Sequence, residues 1–217
     1  MKGYWVVLGA VVLLMMSALP AHAVVIYGDV ADSESGLGNF QAILTYAYNS
    51  ATSALLSIDI TNTSDAANGG YLVGFSFNNP GNLISGVTKG SVWEDADFTL
   101  QFTNNGINNP PNGKFDVGAL VPGGDPKPGI AAGGSAVFQF SLTGTALNTL
   151  SDLSFVNALS VPTGGNDGEF FVTRFKGFNN GGSDKVPGTP TNPVPEPASV
   201  VLLVPALLGL LGLKRKK

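Results

Sequence analysis

In the stretch LLSIDITNT, Leu56, Ile58 and Ile60 alternate strictly with Ser57, Asp59 and Thr61. A repeat of two places the apolar side chains on one face of an extended chain and the polar ones on the other, which is a half-buried β-strand and never a helix face. The pattern recurs in AVFQFSLTG, where Phe138, Phe140 and Leu142 alternate with Gln139, Ser141 and Thr143. It recurs again in DFTLQFT, with Phe98, Leu100 and Phe102 against Thr99 and Gln101. Residues 24–30, 39–48, 71–79, 114–120, 152–159 and 169–178 are further candidate strands, set between Gly, Asn, Asp and Pro clusters that favour turns. This spacing predicts an all-β fold, a single antiparallel β-sandwich of about nine strands, with one helical turn near residues 146–150. The expected core is aromatic: Phe75, Phe77, Phe98, Phe102, Phe138, Phe140, Phe171 and Phe175, with Leu56, Ile58, Ile60, Leu100 and Leu142.

Composition removes whole classes of chemistry. The chain has no cysteine, hence no disulfide, thiolate nucleophile or cysteine metal site. Its one histidine, His22, precedes the β-rich body, so that body has no imidazole for a Ser-His-Asp site or for histidine metal ligation. Between residues 24 and 193, fourteen Asp/Glu stand against six Lys/Arg, a balance of −8. Such a surface repels nucleic acid and anionic lipid and favours solubility. The reading is of a protein that is not an enzyme and needs no cofactor.

Both ends carry addresses. Lys2, an apolar run at 6–16, Pro20 and then Ala21-His22-Ala23 read as a secretory signal peptide, with Ala21 and Ala23 recognised by signal peptidase and the cut after Ala23. At the other end, residues 198–213 are apolar and Lys214-Arg215-Lys216-Lys217 follow. Sixteen helical residues reach about 24 Å, slightly less than a hydrocarbon core of about 30 Å. The cations hold the end in the cytoplasm, so the body lies outside, joined by a transient transmembrane helix. The organisation expected is signal peptide 1–23, β-sandwich 24–178, a stiff solvated linker 179–193 rich in Gly, Pro and Asn, and a terminal signal 194–217. Loops 104–113 and 121–134 belong on the surface.

Pro195-Glu196-Pro197, an apolar span and a basic end, in that order at the extreme terminus, resemble the PEP-CTERM sorting signal of Gram-negative bacteria. The resemblance implies that exosortase, a membrane protease-transpeptidase, processes the chain near this motif. Two prolines stop helix from propagating out of the membrane and leave an extended segment for a protease. A glycosylphosphatidylinositol-type tail also ends in apolar residues, but the closing cations and the Pro-Glu-Pro argue against it. The segments LVGFSFNNPGNLISGV, GSAVFQFSLTG and FFVTRFKGFNNGGSDKVPG also resemble a PEP-CTERM-associated sandwich domain of undefined activity, over about residues 71–188. That resemblance implies an exported protein of the cell surface or exopolysaccharide matrix.

Candidate sites inside the body are sparse. Glu94, Asp95 and Asp97, and Asp29, Asp32 and Glu34, group hard oxygens that suit calcium, with Asn104, Asn105, Asn166 and Asp167 as further donors. None matches the twelve-residue EF-hand loop, and solvated loop charge is the plainer reading. A calcium- or carbohydrate-binding adhesin is one alternative, with Trp93 as a sugar platform; a secreted carbohydrate-active enzyme is another, although no carboxylate pair is marked out. Arg174 and Lys176 are expected to face solvent on an exposed or edge strand. Asn62-Thr63-Ser64 has the acceptor pattern for N-glycosylation.

Overall fold

A computed structural model describes residues 23–163 and 167–191, all within the unit Ala23–Pro193. In chain order the elements are β1 (Ala23–Gly28), β2 (Phe40–Ser50), β3 (Ser53–Asn62), β4 (Gly69–Phe77), β5 (Ile84–Trp93) and β6 (Thr99–Asn108). There follow β7 (Lys114–Leu120), β8 (Ile130–Ala131), β9 (Ser135–Gly144), the short helix α1 (Asp152–Val156), β10 (Phe171–Phe178) and β11 (Ser183–Pro190). The helical turn expected near 146–150 is a single 3-10 turn at Leu147–Thr149. Among the described residues no helix is long and apolar enough to cross a membrane. The signal-peptide helix and the transmembrane helix expected from the sequence lie outside the described residues.

The fold is all-β and antiparallel, with eleven strands where the alternation predicts about nine. They form one path, β5-β9-β3-β2-β1-β11-β10-β4-β7-β6, with β8 pairing β4 beside it. The path curls until it is nearly a barrel. Its end strands β5 and β6 are consecutive in the chain, and from β5 both Trp93 Nε1 and Lys89 Nζ donate to the Phe98 carbonyl just before β6, at 3.1 and 2.8 Å.

The core lies between the two halves of this path. Leu56, Ile58 and Ile60 of β3 are fully buried beside Phe140, Phe138 and Ala136 of β9, as the strict alternation requires. Phe75 of β4 meets them from the opposite half: its ring lies 5.2 Å from Phe138 edge-on, 6.2 Å from Phe140 edge-on and 5.8 Å from Phe171 stacked. Removing one such buried ring costs about 3–5 kcal/mol. Leu100 and Phe102 differ from expectation. They are only partly buried, because β6 is an end strand with its opposite face open.

Five segments depart from the sequence reading. The stretches 104–113 and 121–134 are not wholly surface loops: the first supplies the end of β6 and buries Ile107, Asn109 and Asn112, and the second supplies β8 and buries Val121 and Ile130, because both pack against neighbouring strands. Residues 152–159 are not a strand: Ser151 and Ser154 form a capping box, and this local hydrogen bonding starts α1 instead. β5 is hidden in ISGVTKGSVW by two glycines and scarce apolar residues. The stretch 179–193 is not a solvated linker, because it supplies β11, in which Asp184 and Val186 are fully buried. β11 pairs β10 through Ser183–Pro187 and β1 through Gly188–Pro190, so each proline falls at the end of a ladder, where its missing N–H costs least.

Candidate functional site

β10 runs between β11 and β4 and is no edge strand. Phe171, Thr173 and Phe175 are buried on one side of it, and the alternation turns Val172, Arg174 and Lys176 to the other. There they meet a bulge in β4. Arg174 opposes Gly74 and Phe175 opposes Leu72, so Val73 is left without a ladder partner. Bulges of this kind bend a strand and re-aim its side chains. Beside this bulge lies a cleft of about 150 Å³ whose lining includes Ser76, Ile107, Asn109, Val172, Arg174 and Lys176.

The walls of the cleft are fastened from several directions. The carboxylate of Asp116, which is buried, accepts from the backbone N–H of Asn105 at 2.7 Å and of Asn79 at 2.8 Å, pinning the irregular turn of β6. Ile107 then packs with Phe115 and Val172 in an apolar cluster separate from the main core. Asn109 donates from Nδ2 to Ser76 Oγ at 3.0 Å, and Val121 N–H donates to the Val73 carbonyl at 2.8 Å. Gly118 permits the close approach beneath: a Cβ there would lie 2.9 Å from the Phe75 carbonyl oxygen, 3.0 Å from Ile107 Cδ1 and 3.1 Å from Ser76 Oγ. These contacts hold the walls of the cleft in place.

Two cations border the cleft. Lys185 is occupied by Glu34 at 2.9 Å and by the Pro110 carbonyl. Lys89 is bound to the Phe98 carbonyl and lies 4.5 Å from the Trp93 ring centre. The side chains of Arg174, exposed, and Lys176, half-buried, have no hydrogen-bond or ion-pair partner among the described residues. Two uncommitted cations thus border a cavity on an acidic protein.

The sites read from the sequence fare differently. Pro195, Glu196, Pro197, Lys214, Arg215, Lys216, Lys217, Ala21 and Asn166 lie outside the described residues. Ala23 is the first residue of β1, opposite Thr45. Asn62 is no glycosylation acceptor in this fold: it is fully buried, donates to the Ile130 carbonyl at 2.8 Å and accepts from Ser64 N–H at 3.1 Å. Trp93 is half-buried edge-on against Phe138 and Phe140 and spends its N–H on Phe98, so it belongs to the core margin and offers no open platform.

Three carboxylates of the acidic clusters accept hydrogen bonds within the fold. Asp29 accepts from Ala31 N–H and Thr189 Oγ1, Glu94 from Val137 N–H, and Asp95 from Asp97 N–H. Burial, with the Asp97 charge adding to it, pushes the Asp95 carboxyl up despite that hydrogen bond. Burial, followed by the charges of Asp32 and Asp29, pushes Glu169 up as well. Among the described residues no three carboxylates are grouped so that they hold a metal ion. No protein-family model, no curated protein and no solved structure matches the chain.

Proposed function

We propose that this is an exported structural or interaction protein of the cell surface or extracellular matrix, brought there by signal peptidase and by exosortase acting at Pro195-Glu196-Pro197. The observation that carries the proposal is the order of motif, apolar span and Lys214–Lys217 cations at the terminus. The span holds the chain in the membrane until it is cut, and the sandwich-like body is the cargo. Support comes from the way the body ends. Thr191 N–H donates to the Val25 carbonyl at 2.8 Å, so the last described residue of the body is still bonded to its first strand. Only residues 192–194 then precede Pro195, a reach of about 10–14 Å. A cut at the motif leaves the pairing of β1 with β11 intact.

The test is mass spectrometry of the mature C-terminus in a strain that contains exosortase. The expected product lacks Lys214–Lys217, and Glu196→Ala leaves the tail attached. An intact basic end on the mature wild-type protein rejects the proposal.

A further inference from the structure

We propose that the cleft between β4 and β10 binds a sugar acid: one hydroxylated ring bearing a carboxylate. The inference goes beyond the sorting reading and holds whether or not the tail is ever cut. Charge comes first. Arg174 and Lys176 are the cations that the fold leaves uncommitted beside a cavity, and the planar fork of an arginine matches a carboxylate with two parallel N–H···O bonds. Size comes second. A cavity of about 150 Å³ accommodates a single six-membered ring.

The remaining lining distinguishes a sugar acid from a bare anion. Ser76 is 5 % exposed, and its Oγ already accepts from Asn109, so its O–H is left to donate. Asn109 gives one of its two Nδ2 hydrogens to that bond, and its Oδ1 is left to accept. One donor and one acceptor at fixed positions suit ring hydroxyls. Val73, Val121, Ile107 and Val172 supply apolar wall for the C–H face of a ring, which a compact inorganic anion does not use. A polyanion of high charge density, such as nucleic acid, is disfavoured by the −8 balance of the surrounding body. A ligand with one carboxylate per ring suffers far less from that repulsion.

The experiment is a calorimetric titration of the full-length chain, at low salt, with glucuronate, glucose and inorganic phosphate. Glucuronate is expected to bind saturably, with glucose and phosphate each weaker by about tenfold or more. Arg174→Ala with Lys176→Ala should weaken glucuronate binding by about tenfold or more, whereas Lys114→Ala, an exposed cation elsewhere, should leave it unchanged. Both altered side chains face away from the main core, so the double variant should melt with the wild type. Ser76→Ala, which removes the spare donor, should weaken glucuronate binding and leave phosphate binding as it was. Absence of saturable glucuronate binding overturns the proposal. So does equal affinity for glucose or for phosphate, or a folded double variant that binds glucuronate as well as wild type.

Discussion

Asp184 is fully buried with no cation beside it, and its charge is met instead by three backbone donors. Ser35 N–H lies 2.9 Å from Oδ1, and Leu37 and Gly38 N–H lie 2.8 and 2.9 Å from Oδ2. The carboxylate thereby ties the loop between β1 and β2 to β11. Asp184→Ala strands those donors and should cost about 3 kcal/mol, a drop of about 6–12 °C in a thermal melt. Glu169 argues in the opposite direction. Its pKa is raised in the fold by burial and by Asp32 and Asp29, so the folded state favours the protonated form and loses stability as pH rises from the unfolded value near 4.5 through the folded one. Glu169→Gln removes that penalty. The variant should melt above wild type at pH 7, and the gap should close towards pH 4. Neither role is visible in sequence, since Asp184 sits in a stretch that reads as linker and Glu169 at the start of an apolar strand.

At the scale of elements, β11 joins the two halves of the fold, with β10 on one side and β1 on the other. A chain ending after Thr191 should keep the melting behaviour of the full-length protein. One ending after Gly182 exposes the edges of β1 and β10 and removes Val186 from the core, and it should lose the cooperative transition seen by circular dichroism. Legibility followed alternation. β3 and β9 could be read residue by residue because one face of each meets the core and the other does not. β11 could not, because SDKVPGTP has neither alternation nor apolar content, and its place depends on partners far away along the chain. α1 was misread because an apolar pattern of five residues satisfies both periods, and only the cap decides between them.

For the molecule as a whole, charge is the governing quantity. Fourteen carboxylates face six cations between 24 and 193, and Lys185–Glu34 is the one ion pair among the described residues. Self-repulsion should therefore be relieved by screening. Raising sodium chloride from low to physiological levels should stabilise the fold by on the order of 1 kcal/mol, or about 2–4 °C. Calcium and magnesium at equal ionic strength should raise the melting point equally, since among the described residues no three carboxylates are grouped so that they hold a metal ion; a calcium-specific rise would contradict this. By itself the sequence determined the all-β class, most of the aromatic core and the lack of cysteine and of histidine in the body, because each depends on local order or on composition. Tertiary structure alone decided the eleven-strand path, the burial of Asn62 and Asp184, and the cleft. Arg174, Ser76 and Asn109 come from separate strands and a loop, and they share one cleft only because the sheet order sets β10 and the end of β6 beside β4 and β7.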